Sequence, residues 1–251
     1  MKKIISFAFV LAVTASAAFA QNSYTAKKDI TLAFKGDEGT NACAVVWNPD
    51  KRVYYSVIAG NADYPLETFS QSGNVQYTGT AGVDTRGLWY NNSTSKLEGN
   101  GYGDVGYFFS NLNASGEPRS PEVSYSGQNQ PDGNCVGAFD GKKVYFFYDG
   151  KIYSYSTKGK AGKSFEAQNL PAGISVLNAT TVVYTGRKGE EFGLLDYDAK
   201  RVYLLDKKGK YKASVVLPSS AVTHDMFRFS FSNGKIWLYD VDSRSWTGYS
   251  F

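Results

Sequence analysis

A basic turn followed by an aromatic strand recurs along this chain, and that recurrence restricts what it can fold into more than any other feature. "DKRVYYSV" begins at Asp50, "GKKVYFFYDGKIYSYSTKGKAGKSF" at Gly141, "AKRVYLLDKKGKYKASVVLP" at Ala199 and "NGKIWLYDVDSRSW" at Asn233. Around these anchors lie runs of β-branched and aromatic residues: Cys43 to Trp47, Val53 to Ala59, Val144 to Tyr148, Lys151 to Ser156, Thr181 to Thr185, Val202 to Leu205, Phe227 to Phe231 and Lys235 to Asp240. Such runs read as strands. They stop at Asn48-Pro49-Asp50, Asp140-Gly141, Asp149-Gly150, Lys208-Gly209 and Asn233-Gly234, whose Gly, Asn and Asp residues tolerate the positive φ of hairpin turns. No helical period persists beyond about two turns.

Aligning the turns sets Cys43 over Cys135, Trp47 over Phe139 and Trp89, and Val53 over Val144. Units then start near Gly39, Asp84, Asp132, Gly173 and Ala221, about 41 to 48 residues apart. A unit of that length holding four short strands predicts a β-propeller blade. One four-stranded sheet has two apolar faces and two open edges, and only stacking around an axis buries the faces. The expected fold is therefore all-β: a propeller of five blades, each of four antiparallel strands. Six blades is the alternative if Thr181 to Glu191 forms a blade of its own. The last unit supplies about three strands and "KKDITLAF" (Lys27 to Phe34) is a spare one, so an N-terminal strand is expected to close the ring.

The N-terminus has Lys2 and Lys3, an apolar run from Ile4 to about Val13, and the small-residue pattern Ala18-Phe19-Ala20. It reads as a signal peptide over residues 1–20 with cleavage before Gln21, leaving residues 21–251 as a single propeller domain. The run is too short for a membrane anchor, so the expectation is a secreted or periplasmic protein without stable membrane insertion. Without Lys2 and Lys3 the basic total falls from 27 to 25 against 23 acidic residues. Near-neutrality with scattered lysines argues against a nucleic-acid partner.

The unit Cys135 to Lys160, "CVGAFDGKKVYFFYDGKIYSYSTKGK", resembles the NHL-type propeller unit, with its V-Y strand and D-G-K-like turn. The resemblance implies a fold whose members include protein, peptide and sugar binders as well as calcium-dependent lactonases. It transfers no single activity.

Propeller ligands commonly bind where innermost strands begin, because the connecting loops converge there on a rigid ring. The residues at that place are Asn41, Asp84, Arg86, Asp132, Asn134, His224 and Asp225, with Thr40 and Ser175 beside them. They can cap turns or form a polar ligand site. As a ligand site they support binding of a protein, peptide or glycan without catalysis and without a cofactor, which is the preferred function. The rival is a calcium-assisted hydrolase or lactonase-like enzyme: Asn41, Asp84, Asp132, Asn134 and Asp225 supply oxygens, and His224 shuttles a proton. A glycosidase pair is weaker, since no Glu stands at an equivalent position. The segment from Leu88 to Phe109 adds Trp89, Tyr90, Asn91, Asn92 and Asn100, a polar aromatic surface or a packed hairpin. Cys43 and Cys135 share a column, and their pairing is left open by the distance a disulfide demands.

Overall fold

The computed structural model describes residues 22–171 and 176–251. The signal-peptide reading, the cleavage before Gln21, the fourth unit's start near Gly173 and the candidate Ser175 lie outside them. Two strands, β1 (Asn22–Thr25) and β2 (Lys27–Ala33), precede the first blade. Blade 1 is β3 (Asn41–Asn48), β4 (Val53–Ala59), β5 (Pro65–Ser70) and β6 (Val75–Thr80). Blade 2 is β7 (Thr85–Asn91), β8 (Lys96–Gly101), β9 (Tyr107–Ser110) and β10 (Glu122–Tyr125). Blade 3 is β11 (Ala138–Phe139), β12 (Lys143–Tyr148), β13 (Lys151–Ser156) and β14 (Ala161–Glu166). Blade 4 is β15 (Val183–Tyr184), β16 (Phe192–Asp196), β17 (Arg201–Leu205) and β18 (Tyr211–Val216). Blade 5 is β19 (Phe229–Ser232), β20 (Lys235–Asp240), β21 (Ser245–Ser250) and the N-terminal β2. There are thus five blades, and the Thr181 to Glu191 region is not a sixth: it holds the innermost strand of blade 4 and the turn after it.

Each blade is an up-and-down meander because its strands alternate side chains between two faces and its connections are tight. Asp149-Gly150 and Asn233-Gly234 both take two consecutive left-handed residues, with φ of 47° and 74° in the first and 49° and 71° in the second. That is the geometry whose twist matches the flanking strands.

Five hydrophobic clusters fill the space between blades; four belong to one neighbouring pair each, and the one between blades 1 and 2 extends across the channel to Val136 and Phe227. Tyr55, Val57 and Leu66 meet Leu88, Leu97 and Phe108 between blades 1 and 2. Trp89 and Tyr107 meet Val144 and Phe146 between blades 2 and 3. Phe147 and Ile152 meet Phe192, Leu194 and Tyr203 between blades 3 and 4. Val202, Leu204 and Val215 meet Phe229, Ile236 and Tyr249 between blades 4 and 5. Tyr54, Ile58 and Phe69 meet Trp237, Tyr239 and Trp246 between blades 5 and 1. The last cluster closes the ring, so the inner strands of every blade pack against a neighbour, while the outermost strands β6, β10 and β14 stay largely exposed.

Closure is supplied by both chain ends. β2 runs antiparallel to β21, with Leu32 opposite Trp246 and fully buried. β1 adds something the repeat did not announce: it lies parallel to β18 as a fifth strand of the blade 4 sheet. The Arg187 guanidinium sits 4.8 Å from the ring centres of both Tyr24 and Phe251. Glu190 pairs with Arg187 at 3.1 Å and accepts the Tyr24 hydroxyl at 2.8 Å, so the first strand and the last residue are fastened to one turn.

The innermost strands are sheet edges, whose exposed backbone groups need partners. Side chains from neighbouring blades provide them. Ser230 Oγ accepts Val45 N–H at 3.0 Å and donates to Val45 C=O at 3.2 Å. Asn100 accepts Gly137 N–H at 3.0 Å and donates to Cys135 C=O at 2.9 Å.

Candidate functional site

The innermost strands β3, β7, β11, β15 and β19 surround the central channel, which has two ends: an inlet where these strands begin and an outlet where they finish. The inlet gathers the residues singled out from sequence. Asp84 forms a two-point ion pair with Arg86, whose second contact is Nη2 to Oδ2 at 3.3 Å, and it accepts Gly60 N–H at 2.8 Å. The buried Arg86 also donates Nε to Asn134 Oδ1 at 3.4 Å and stacks on Tyr102 at 4.6 Å. Asp132 Oδ1 accepts Asn134 N–H at 2.8 Å, an Asx turn. Across the mouth, Arg228 Nη2 donates to Asn41 Oδ1 at 2.9 Å and Nη1 to His224 Nδ1 at 3.0 Å. An imidazole accepting at Nδ1 is neutral, and burial with Arg228 beside it holds His224 below its usual 6.5. Asp225 is exposed and engages through its backbone carbonyl, which accepts Ala179 N–H at 2.7 Å.

These residues therefore join one blade to the next: Arg86 of blade 2 reaches the loop before blade 3, and Arg228 of blade 5 reaches Asn41 of blade 1. The inlet is stoppered as well. Phe227 and Arg228 are consecutive non-glycine residues with positive φ, 47° and 56°. The turn is pinned by Asn178 Nδ2, donating to the His224 and Phe227 carbonyls at 3.0 Å each, and by Thr180 Oγ1, accepting Phe227 N–H at 2.9 Å. It drives the buried Phe227 ring into the cluster that holds Cys43, Leu88 and Val136. Calcium does not fit this end. Asp84 is spent on Arg86, Asp132 on its own turn, and two guanidinium groups repel a divalent cation. Among the described residues no three His, Cys, Asp or Glu side chains form a cation-holding group.

The outlet is open. A cavity of about 260 Å³ is lined from Ala44, Leu88, Val136, Thr181 and Phe229 outward to the exposed turn residues Pro49, Asn92 and Asn233. All five innermost strands contribute to it. Hairpin register shows that each gives one aromatic residue at the same place, one position before the residue that flanks the turn: Trp47, Tyr90, Phe139, Tyr184 and Phe231. Each ring is braced by a neighbour. Trp47 lies 4.6 Å from Tyr54, Phe139 stacks on Trp89 at 5.7 Å, Tyr184 on Tyr145 at 6.5 Å, and Phe231 lies 6.3 Å from Phe251. Tyr90 donates its hydroxyl to Asp50 at 2.7 Å. None of the described lining residues is Asp, Glu, His, Cys, Lys or Arg.

One sequence reading changes here and another is decided. The column Trp47, Trp89, Phe139 is one residue out in blade 2: β3 and β7 share the same bulge, before Ala44 and before Gly87, and counting back from the turn makes Tyr90 the equivalent of Trp47. Of the two readings of the segment from Leu88 to Phe109, the packed hairpin holds for most of it. Trp89 and Tyr107 are buried between blades 2 and 3, and Asn100 is fully buried as a backbone partner. Of that segment only Leu88, Trp89, Tyr90 and Asn92 line the cup. The signal that finds the collar is an aromatic residue one place before the first turn of each unit, and it needs the hairpin register to be read. Cys43 and Cys135 are free thiols, both buried.

No protein-family model matches this chain, and no curated protein matches it in sequence. A solved gluconolactonase from Xanthomonas campestris is similar in structure, with a TM-score of 0.51 and 12% identity over 90% of this chain and 96% of that one. The similarity extends to the whole ring and concerns the fold.

Proposed function

We propose that this protein is an exported binding propeller without catalytic activity, whose ligand sits in the outlet cup and belongs to a protein, a peptide or a glycan. The observation that carries this reading is the lining: five blades converge on one braced aromatic collar in a cup with no Asp, Glu, His, Cys, Lys or Arg among its described lining residues. Concave, apolar and preformed sites with a few polar groups are the usual form of small-ligand pockets. Rings already locked by their neighbours lose little freedom on binding. Export rests on the leader, and the NHL-like unit agrees with a platform role. The test is a thermal-shift screen of peptide and glycan libraries on the parent and on Ser232→Trp, which fills the cup. Hits should raise the parent melting temperature and leave the filled variant unmoved; hits that act equally on both place the ligand elsewhere.

The similarity to a gluconolactonase favours a second reading, a lactone or ester hydrolase working at the inlet. There His224, next to Arg228, supplies the imidazole. Assay of a lactone panel with and without added calcium separates the two readings. Turnover that disappears in His224→Gln supports the hydrolase, and no turnover in either condition supports the binder.

A further inference from the structure

We infer that the outlet cup takes a single uncharged sugar ring, the terminal residue or a side branch of a glycan. This rests on reading the cup as the binding site and names its ligand class. Size comes first. At about 260 Å³ the cavity is below the roughly 300–1,000 Å³ of drug-sized pockets, so one ring enters and the rest of a chain passes over the hairpin rim. Charge comes second: with no charged wall residue, an ionic group would be stripped of water and given no partner. An uncharged occupant with apolar faces is left, and the C–H face of a sugar ring suits the electron-rich faces of the collar.

The third observation separates sugar from an apolar amino-acid side chain. Five equivalent residues flank the first turn of each blade: Asn48, Asn91, Asp140, Thr185 and Ser232. Four spend a side-chain oxygen on that turn. Asn48 accepts from Asp50 and Lys51 N–H, Asn91 from Ser93, Asp140 from Lys142 and Lys143, and Thr185 from Arg187. Ser232 does not, because Asn233-Gly234 closes its hairpin with two left-handed residues and needs no cap. Ser232 lines the cup, and its Oγ has no hydrogen-bond partner and is closed to solvent in this rotamer, so it meets an occupant of the cup only after rotation about χ1. A sugar hydroxyl satisfies that atom, whereas an aliphatic or aromatic side chain seals it in unpaired. At the rim, Asn233 gives its Nδ2 to the Tyr54 hydroxyl at 2.7 Å, which leaves its carbonyl oxygen to accept a second hydroxyl.

The test titrates the whole mature protein with methyl glycosides of glucose, galactose, mannose and N-acetylglucosamine, their short oligosaccharides, and N-acetyl amides of leucine, phenylalanine and tyrosine. Tryptophan fluorescence and calorimetry are the readouts. At least one neutral glycoside should saturate with a change in Trp47 emission. Trp47→Ala should weaken it tenfold or more and Ser232→Ala about fivefold, while Trp47→Phe, which keeps a ring and the packing on Tyr54, stays within threefold. Saturation by the amino-acid amides alone overturns the sugar and leaves the cup as the site. Glycoside binding that survives Ser232→Trp overturns the cup itself. Silence of both ligand sets overturns the sugar.

Discussion

His224 is held in one protonation state by where it sits. Arg228 donates to its Nδ1, so only the neutral ring fits, and burial, then Arg228, push its pKa below 6.5; Asp225, Asp240 and Asp242 oppose this more weakly. The unfolded chain therefore takes up a proton near pH 6.5 that the folded chain refuses. Where the unfolded state binds more protons, stability rises with pH. It should be flat between pH 7 and about 8, fall as the pH drops through 6.5, and level off below the folded pKa. His224→Gln should remove that slope in urea unfolding between pH 5 and 8. The paired carboxylates Asp29 and Asp206, whose pKa values are lowered, act only at more acidic pH. An unchanged slope in the variant would show that another group carries it. Cys43 and Cys135 give a sharper outcome. Burial pushes both thiols up to about 12, and the thiolate is the reactive form. A thiol reagent at pH 8 should label neither until urea unfolds the ring; fast labelling of native protein would contradict their burial.

At the scale of elements, β2 carries the closure, and its anchor is Leu32, fully buried between blades 5 and 1 against Trp246. Leu32→Ala should cost about 2–5 kcal/mol, the range for a buried leucine that leaves a cavity, measured by urea unfolding. A loss under about 1 kcal/mol would mean that the ring closes without it. This strand was legible in the sequence, because Lys27 to Phe34 is a spare strand in a chain whose last unit lacks one. β1 was not. "NSYT" is short and polar, and what makes it a strand is the edge of β18, far away in sequence, together with the Arg187 clamp. The collar was half legible for a related reason. Periodicity finds Trp47 and Phe139, but in blade 2 two aromatic residues stand side by side, and only the pairing with β8, where Tyr90 faces Leu97 as Trp47 faces Tyr54, tells Tyr90 from Trp89 on the opposite face of the strand.

For the whole molecule, blade number was readable because four strands per 41 to 48 residues is a local pattern, whereas the open end of the channel was not. Which end opens depends on Phe227 and Arg228 entering a left-handed turn held by Asn178 and Thr180, side chains from another blade. The seven inlet residues Asn41, Asp84, Arg86, Asp132, Asn134, His224 and Asp225 do share one end, while the cavity lies at the other. The two ends should therefore be separable by mutation. Asp84→Asn leaves the Arg86 guanidinium, 7% exposed, without its countercharge and should cost roughly 1–3 kcal/mol of stability, the range for a lost hydrogen bond to a buried charged group. Cup affinity should stay within about twofold, since the sites sit at opposite ends of rigid strands and distant sites act nearly independently. Ser232→Trp should do the reverse, abolishing cup binding while unfolding remains cooperative at a nearby denaturant midpoint. Both variants are followed by urea unfolding and by calorimetry with whichever ligand the screen identifies. If Asp84→Asn abolishes binding at unchanged stability, the inlet residues contact the ligand after all, and the outlet cup is only the unfilled end of a channel.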